Sequence, residues 1–279
     1  MLADRSGNIS QIVYSAATNA DALHAAGEFE KAADLFAEAE RRWQELQAEC
    51  PLLYSVQGYG YCDLLQSLGR AGAVRYRATQ TLQWARTQHF PLDMALETLS
   101  LSRSSLVLTL ESLAGRRSAQ TECEDARAAA CDIDEAVEGL RTSGENVLIP
   151  RGLLARAAFR RAVGEWEGAA RDLDEAKEIA EPAPMRLHLC DCALERARVA
   201  LARREGFAPL NGFVEPSPPP PVLPDPDAAA ALREEARKQL DVARKLSAEC
   251  GYHRRDEELA ELDAVIAGAR RFADLPPRV

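Results

Sequence analysis

Four arginines crowd one short stretch, Arg151, Arg156, Arg160 and Arg161, and Arg186 and His188 follow on the next predicted helix. A guanidinium presents a planar fork of donors that matches a carboxylate, so such a cluster suits recognition of an acidic group. The competing account is that these side chains pair with the chain's own acids, Asp172, Asp174 and Glu175 among them, as charges on helix faces usually do. His188 and Cys192 lie one helical turn apart, a spacing that metal sites use, but Cys190 projects elsewhere and no second ligand pair is evident. Buried thiols beside a hydrogen-bonded histidine are the simpler reading, so no metal or other cofactor is expected. Tyr252, His253, Arg254 and Arg255 follow Gly251 directly. They either form a polar rim on a groove or cap the preceding helix, since cations favour a helix C-terminus.

Signatures of catalysis are missing. The sequence has no GxxxxGK[ST] phosphate loop, no GxSxG elbow, no HExxH and no GxGxxG after a predicted strand. Its four histidines (24, 89, 188 and 253) leave few candidate bases. No enzyme is expected, and a metal-dependent catalyst is the weakest of the three classes of function weighed below.

Bulk properties narrow the partners. A formal net charge of -10 repels nucleic acid and anionic membranes, so neither is expected as a partner. The opening residues, MLADRSGNISQIVYS, lack a basic segment followed by an apolar run, and no apolar stretch approaches the roughly 20 residues that span a bilayer. Seven cysteines without CxxC spacing read as reduced, mostly buried thiols, which places the chain in the cytoplasm.

The elements that must position these residues are helical. One triplet recurs, an alanine, a larger apolar residue four positions on and a second alanine three further. It reads Ala32/Phe36/Ala39, Ala78/Leu82/Ala85, Ala129/Ile133/Ala136, Ala169/Leu173/Ala176 and Ala236/Leu240/Ala243. Small residues let helices cross closely while one larger knob fills the groove between them, the pattern of stacked helical hairpins. The breaks between arms carry turn chemistry. The first hairpin spans helices over 8–26 and 29–49, turning at Gly27. Pro51 opens the second, with arms over 51–68 and 73–88 joined around Gly69 and Gly72. Pro91 opens the third, whose first arm is apolar on more than one face and whose second runs from Ser118 to Arg141. The fourth follows Pro150 and breaks at Gly164, with Trp166 at its elbow. The fifth starts at Met185 and is interrupted by a proline-rich insertion over 206–226 that cannot be helical and reads as a semi-rigid spacer. Asp227 is placed to N-cap the returning helix, and a capping helix over 253–272 presents Leu259, Leu262, Ile266 and Ala269 on one side.

Gly164, Trp166, Ala169, Leu173 and Ala176, with Ala157 on the preceding arm, resemble a tetratricopeptide repeat, as do Ala20, Leu23, Gly27, Phe29, Ala32, Phe36 and Ala39. The second and third hairpins depart from that pattern, with longer arms and misplaced elbow residues. Residues 145–260 are similar to the repeat tails of large multidomain bacterial proteins. The resemblance implies an all-α, TPR-like α-solenoid over residues 1–279, a superhelical array of about five antiparallel hairpins closed by the capping helix. In that family first arms line the concave face, which would gather Arg151, Arg156, Arg161, Arg186, His188, Tyr252, His253 and Arg254 toward a partner. The expected function is a scaffold or adaptor that binds a protein or peptide, acidic in character, or another domain of a parent chain. The alternative is a regulatory sensor of a small ligand or signal peptide. Oligomeric state is not readable from these features.

Overall fold

All five alanine triplets point inward: none of their fifteen residues exceeds 5% relative exposure. In the computed structural model, which describes residues 9–115, 119–183 and 185–278 (with backbone only for 119–124), they sit on the second helix of successive pairs. The pairs are α1 (Ile9–Ala25) with α2 (Phe29–Leu46), α3 (Ser55–Ser67) with α4 (Ala71–Gln88), and α5 (Pro91–Gly115) with α6 (Ala119–Ser143). Next come α7 (Ile149–Val163) with α8 (Trp166–Ala180), and α9 (Arg186–Glu205) with α10 (Pro226–Cys250). A last helix, α11 (Asp256–Ala267), lies between short 3-10 turns at His253–Arg255 and Phe272–Asp274. No strand occurs among the described residues, and no helix among them is long and apolar enough to cross a membrane.

Helix contacts follow one rule. Each leading helix packs on its own returning helix, each returning helix packs on the next leading helix, and leading helices touch one another in the series α1, α3, α5, α7, α9, α11. Alanine makes this possible by combining the best intrinsic helix propensity with a side chain thin enough for close crossing. Two glycines tighten it further. A Cβ on Gly139 would stand 2.8 Å from the Ala95 Cβ, and one on Gly152 would stand 2.9 Å from a Leu140 methyl. The sandwiched α5 buries residues around most of its circumference, as its unusual apolarity predicts.

The turns repay a closer look. Gly164 ends α7 at φ +91°, a conformation that side chains with a Cβ rarely adopt. Gly69 turns the second pair, but Gly72 lies inside α4 with open space around it. Pro51 does not begin a helix: α3 starts at Ser55. The intervening chain stays extended because Glu40 accepts from the Leu53 amide at 2.9 Å and Glu97 from the Ser55 amide at 2.9 Å. Asp225, not Asp227, caps α10, accepting from the Ala228 amide at 2.8 Å, since Pro226 takes the first helical position. Ala269 falls beyond the end of α11 and is exposed, its place on the buried face being taken by Val265. The insertion is non-helical, yet it is no free spacer. Leu210 and Val214 are buried in the core, the Leu210 amide donates to Ala162 O at 2.9 Å and Asn211 donates to Val163 O at 3.0 Å.

Of the six cysteines with described side chains, Cys62, Cys190 and Cys192 are buried, Cys50 and Cys250 are half-buried and Cys131 is exposed, so the thiols are less uniformly interior than expected. Residues 1–8, where the first predicted helix begins, and Ser118, where the third second-arm was placed, lie outside the described residues.

Candidate functional site

The leading helix of each pair carries a charged residue at a corresponding place: Asp21 on α1, Asp63 on α3, Arg103 on α5, Arg151 on α7 and Asp191 on α9. Because leading helices pack side by side, these residues face one cavity of about 410 Å³, which the 252–258 segment and Pro276–Arg278 also line. Burial in a medium less polar than water makes every unpaired charge there expensive, so most are paired.

Asp63 is one hub. It accepts from Arg103 at 2.8 Å and from Arg254 at 2.5 Å, and Arg103 also donates to the Tyr59 hydroxyl at 2.9 Å. Burial works to raise the Asp63 pKa, but Arg254 and Arg103 outweigh it and hold the carboxyl well below its ordinary range. Glu258 is the second hub. It accepts from Arg255 at 2.6 Å and from Arg198, and its pKa falls to about 2 because Arg255, Arg198 and Arg278 overcome the penalty of burial. Asp191 joins the hubs by accepting from Arg255 at 2.8 Å and from the Tyr252 hydroxyl at 3.0 Å. Asp63 on α3 and Arg254 in the 252–258 segment thereby tie the beginning of the helix series to its end. His24 adds to that tie, its ring 3.1 Å from the Arg254 guanidinium and 3.0 Å from the Ser67 hydroxyl. Burial, then Arg254, drives the His24 pKa down to about 4. Gly27 closes against the same turn, since a Cβ there would meet the His253 backbone at 3.2 Å.

The sequence-predicted residues divide. Arg151, His188, Tyr252 and Arg254 line the main cavity. Arg151 lies over the Tyr59 ring at 4.9 Å and, among the described residues, makes no ion pair within 4.0 Å. Burial and the nearby Arg151 lower the His188 pKa, so its ring is neutral at pH 7. Arg161 reaches an adjoining cavity of about 260 Å³ and pairs with Glu195 at 2.6 Å. Four residues do not join them. Arg156 is turned between α7 and α8, held by Asp172 at 2.8 Å and Asp134 at 3.2 Å, so the self-pairing account is right for it. Arg160 shares that fate, 2.7 Å from Asp172. Arg186 pairs with Glu249 on α10, and His253 is exposed beside Asp256 at 3.0 Å.

The 252–255 segment serves both predicted roles at once. The Tyr252 amide donates to Ser247 O and closes α10, while the Arg254 and Arg255 side chains turn inward. His188 and Cys192 part company: the ring faces the cavity and the thiol lies in the core, where burial pushes it up to about 12. Among the described residues no group of three or more His, Cys, Asp or Glu side chains could hold a metal ion. Sequence reasoning passed over Asp21, Asp63, Arg103, Asp191, Arg198 and Glu258; Asp63 and Arg103 stand as isolated charges on mostly uncharged helices, but Arg198 and Glu258 lie among other charged residues and carry no local signal.

The sequence matches no family model, no curated protein and no solved structure.

Proposed function

We propose that the chain is a TPR-like superhelical array of five antiparallel helical hairpins with a capping helix, and that it is a scaffold holding a protein or peptide segment in its central cavity. The alternating helix contacts support the array, since leading-on-leading packing at every step is what a stacked repeat requires. One observation carries the binding role: the leading helix of every pair contributes a side chain to a single polar cavity. Its walls are preformed by buried ion pairs, so a partner would be held with little ordering of the scaffold. Arg151, with no carboxylate of its own within ion-pair distance among the described residues, is the side chain that would take an acidic group of the partner, or of another domain of a parent chain.

Charge reversal separates this reading from adventitious surface attraction. Arg151→Glu should abolish capture of partners by the purified chain without changing helicity, while Arg186→Glu, outside the cavity and already paired with Glu249, should leave capture intact. Capture that survives Arg151→Glu, or that is lost equally with Arg186→Glu, rejects the cavity as the binding site.

A second reading, a sensor of a small ligand or signal peptide, draws on the ties between the two ends of the series. A ligand seated between Asp63 and Arg254 would act on the contact that fixes how far the array closes. A ligand-dependent rise in melting temperature across a metabolite panel would favour it over a plain scaffold.

A further inference from the structure

One part of the wall is not helix. After the turn at Phe272–Asp274, residues 275–278 run without regular structure between the two cavities, and Pro276, Pro277 and Arg278 line both. The root of this segment is fixed. Phe272 is buried, packs edge-on against Phe207 with ring centroids 6.0 Å apart, and its amide donates to Glu205 at 2.9 Å. Its far end is held by charge. The Arg278 guanidinium lies 3.1 Å from both Glu257 and Glu261 and 4.0 Å from Glu258, three carboxylates on one side of α11. The Arg278 carbonyl accepts from Arg161 at 3.1 Å, a main-chain contact that reads backbone rather than side chain.

These are the features by which a groove takes an extended peptide: apolar lining from Leu110, Leu113, Phe207 and Leu262 beside the segment, a donor for a main-chain carbonyl and an acidic pocket for a cationic side chain. Prolines suit the occupant because their restricted backbone loses little entropy on docking. The two cavities flank the segment on either side, so the room it fills is continuous with open space rather than sealed core. Arg278 also leaves its Nε buried without a hydrogen-bond partner, an imperfect fit that a competitor could improve upon.

We infer that the face formed by Arg161, Glu257, Glu258 and Glu261 is a binding site for an extended, proline-containing peptide with an arginine, and that Leu275–Arg278 is an internal strap occupying it. The inference rests on the proposed peptide-binding role of the cavity and names a chemistry and a regulation for part of it. A partner segment of the same Pro-Pro-Arg character gains the site by displacing the strap, and the array stays folded because the Phe272 root does not move. The acidic pocket selects a basic side chain, whereas Arg151 across the cavity selects an acidic one, so the preferred partner carries both.

The test uses a fluorescein-labelled peptide with the sequence of residues 271–278, capped at both ends. Anisotropy is measured against the full chain and against the chain lacking residues 275–279. The shortened chain should bind the peptide saturably, with a Kd on the order of 100 μM, and the full chain should bind it at least ~10-fold more weakly. An Arg278→Glu peptide should lose binding, and so should a shortened chain carrying Glu257→Gln and Glu261→Gln, with circular dichroism reporting that its helices are intact. Should the shortened chain misfold, Arg278→Ala in the full chain gives the second route, since freeing the strap alone should raise peptide affinity. No saturable binding to a folded, strap-free chain overturns the inference, as does equal binding to full and shortened chains. These outcomes are independent of whether Arg151→Glu abolishes partner capture, so failure of the strap and failure of the scaffold role are told apart.

Discussion

Two buried groups are set to titrate in opposite directions over the same pH range. Glu97 on α5 is buried, and burial raises its pKa to about 7 despite hydrogen bonds from the Ser55 amide at 2.9 Å and with Thr81 Oγ1 at 2.5 Å. A raised carboxyl pKa means that the folded state holds a proton the unfolded state has released. Stability therefore rises as pH falls through 7 and levels off below the unfolded value near 4.5. His24 does the reverse. Its folded pKa of about 4 lies below the ordinary 6.5, so the unfolded state takes up a proton first and stability falls as pH drops from 6.5 toward 4. Each tenfold ratio is about 1.4 kcal/mol, so between pH 8 and pH 5 each group shifts stability by about 2 kcal/mol, with opposite sign. In the parent chain the two contributions largely cancel. Glu97→Gln keeps the shape, and its amide can donate to Thr81 Oγ1 because the Thr81 hydroxyl can direct its own proton to Arg77 O at 2.9 Å. Urea unfolding at pH 5, 6, 7 and 8 reads the outcome. Relative to the parent, Glu97→Gln should gain about 2 kcal/mol at pH 8 and about none at pH 5, exposing the fall due to His24. His24→Gln should show the mirror image, gaining about 2 kcal/mol more over the parent at pH 5 than at pH 8. Comparison with the parent cancels contributions common to all three, such as that of His188. A Glu97→Gln profile parallel to the parent's would refute the buried-carboxyl assignment, and a His24→Gln profile parallel to the parent's would refute the role of His24.

The close crossing of α5 and α6 makes a sharper structural claim. Gly139→Val should destabilise the chain by about 1–3 kcal/mol, because its side chain must displace Ala95, read as a lowered melting temperature. Gly72→Ala, in open space within α4, should instead raise stability by about 0.5–1 kcal/mol by removing a flexible residue from a helix; a loss there would mean that this stretch is not helical in solution.

How much of this was legible in the sequence follows from the physics of each part. The triplets Ala32/Phe36/Ala39 through Ala236/Leu240/Ala243 revealed the buried stripe because close helix crossing demands small residues at fixed spacing, a local constraint. Gly27, Gly164 and Pro91 marked their boundaries for the same reason, as backbone conformation is set within a residue or two. Pro51 misled because the extended stretch after it is fixed by Glu40 and Glu97, more than ten residues away on either side. The site was only half visible. Arg151, His188, Tyr252 and Arg254 were picked out by residue type, but which arginines face the cavity depends on angular position and on partners such as Asp172 and Glu249. The closing contact between Asp63 and Arg254 joins residues 191 positions apart, and no local pattern encodes it. The strap stayed hidden for a similar cause: Leu275–Arg278 has no periodicity and gains its meaning only from the carboxylates of α11.

The central claim, that partners dock in the cavity bounded by the leading helices, is open to direct test by site-specific photo-cross-linking. A benzophenone amino acid is placed at Gln66, on the cavity wall, or at Tyr76, exposed on α4, and irradiated with partners captured by the chain. Docking in the cavity predicts covalent adducts from position 66 and few from position 76. Adducts confined to position 76 would place the binding surface on the outside and contradict the account.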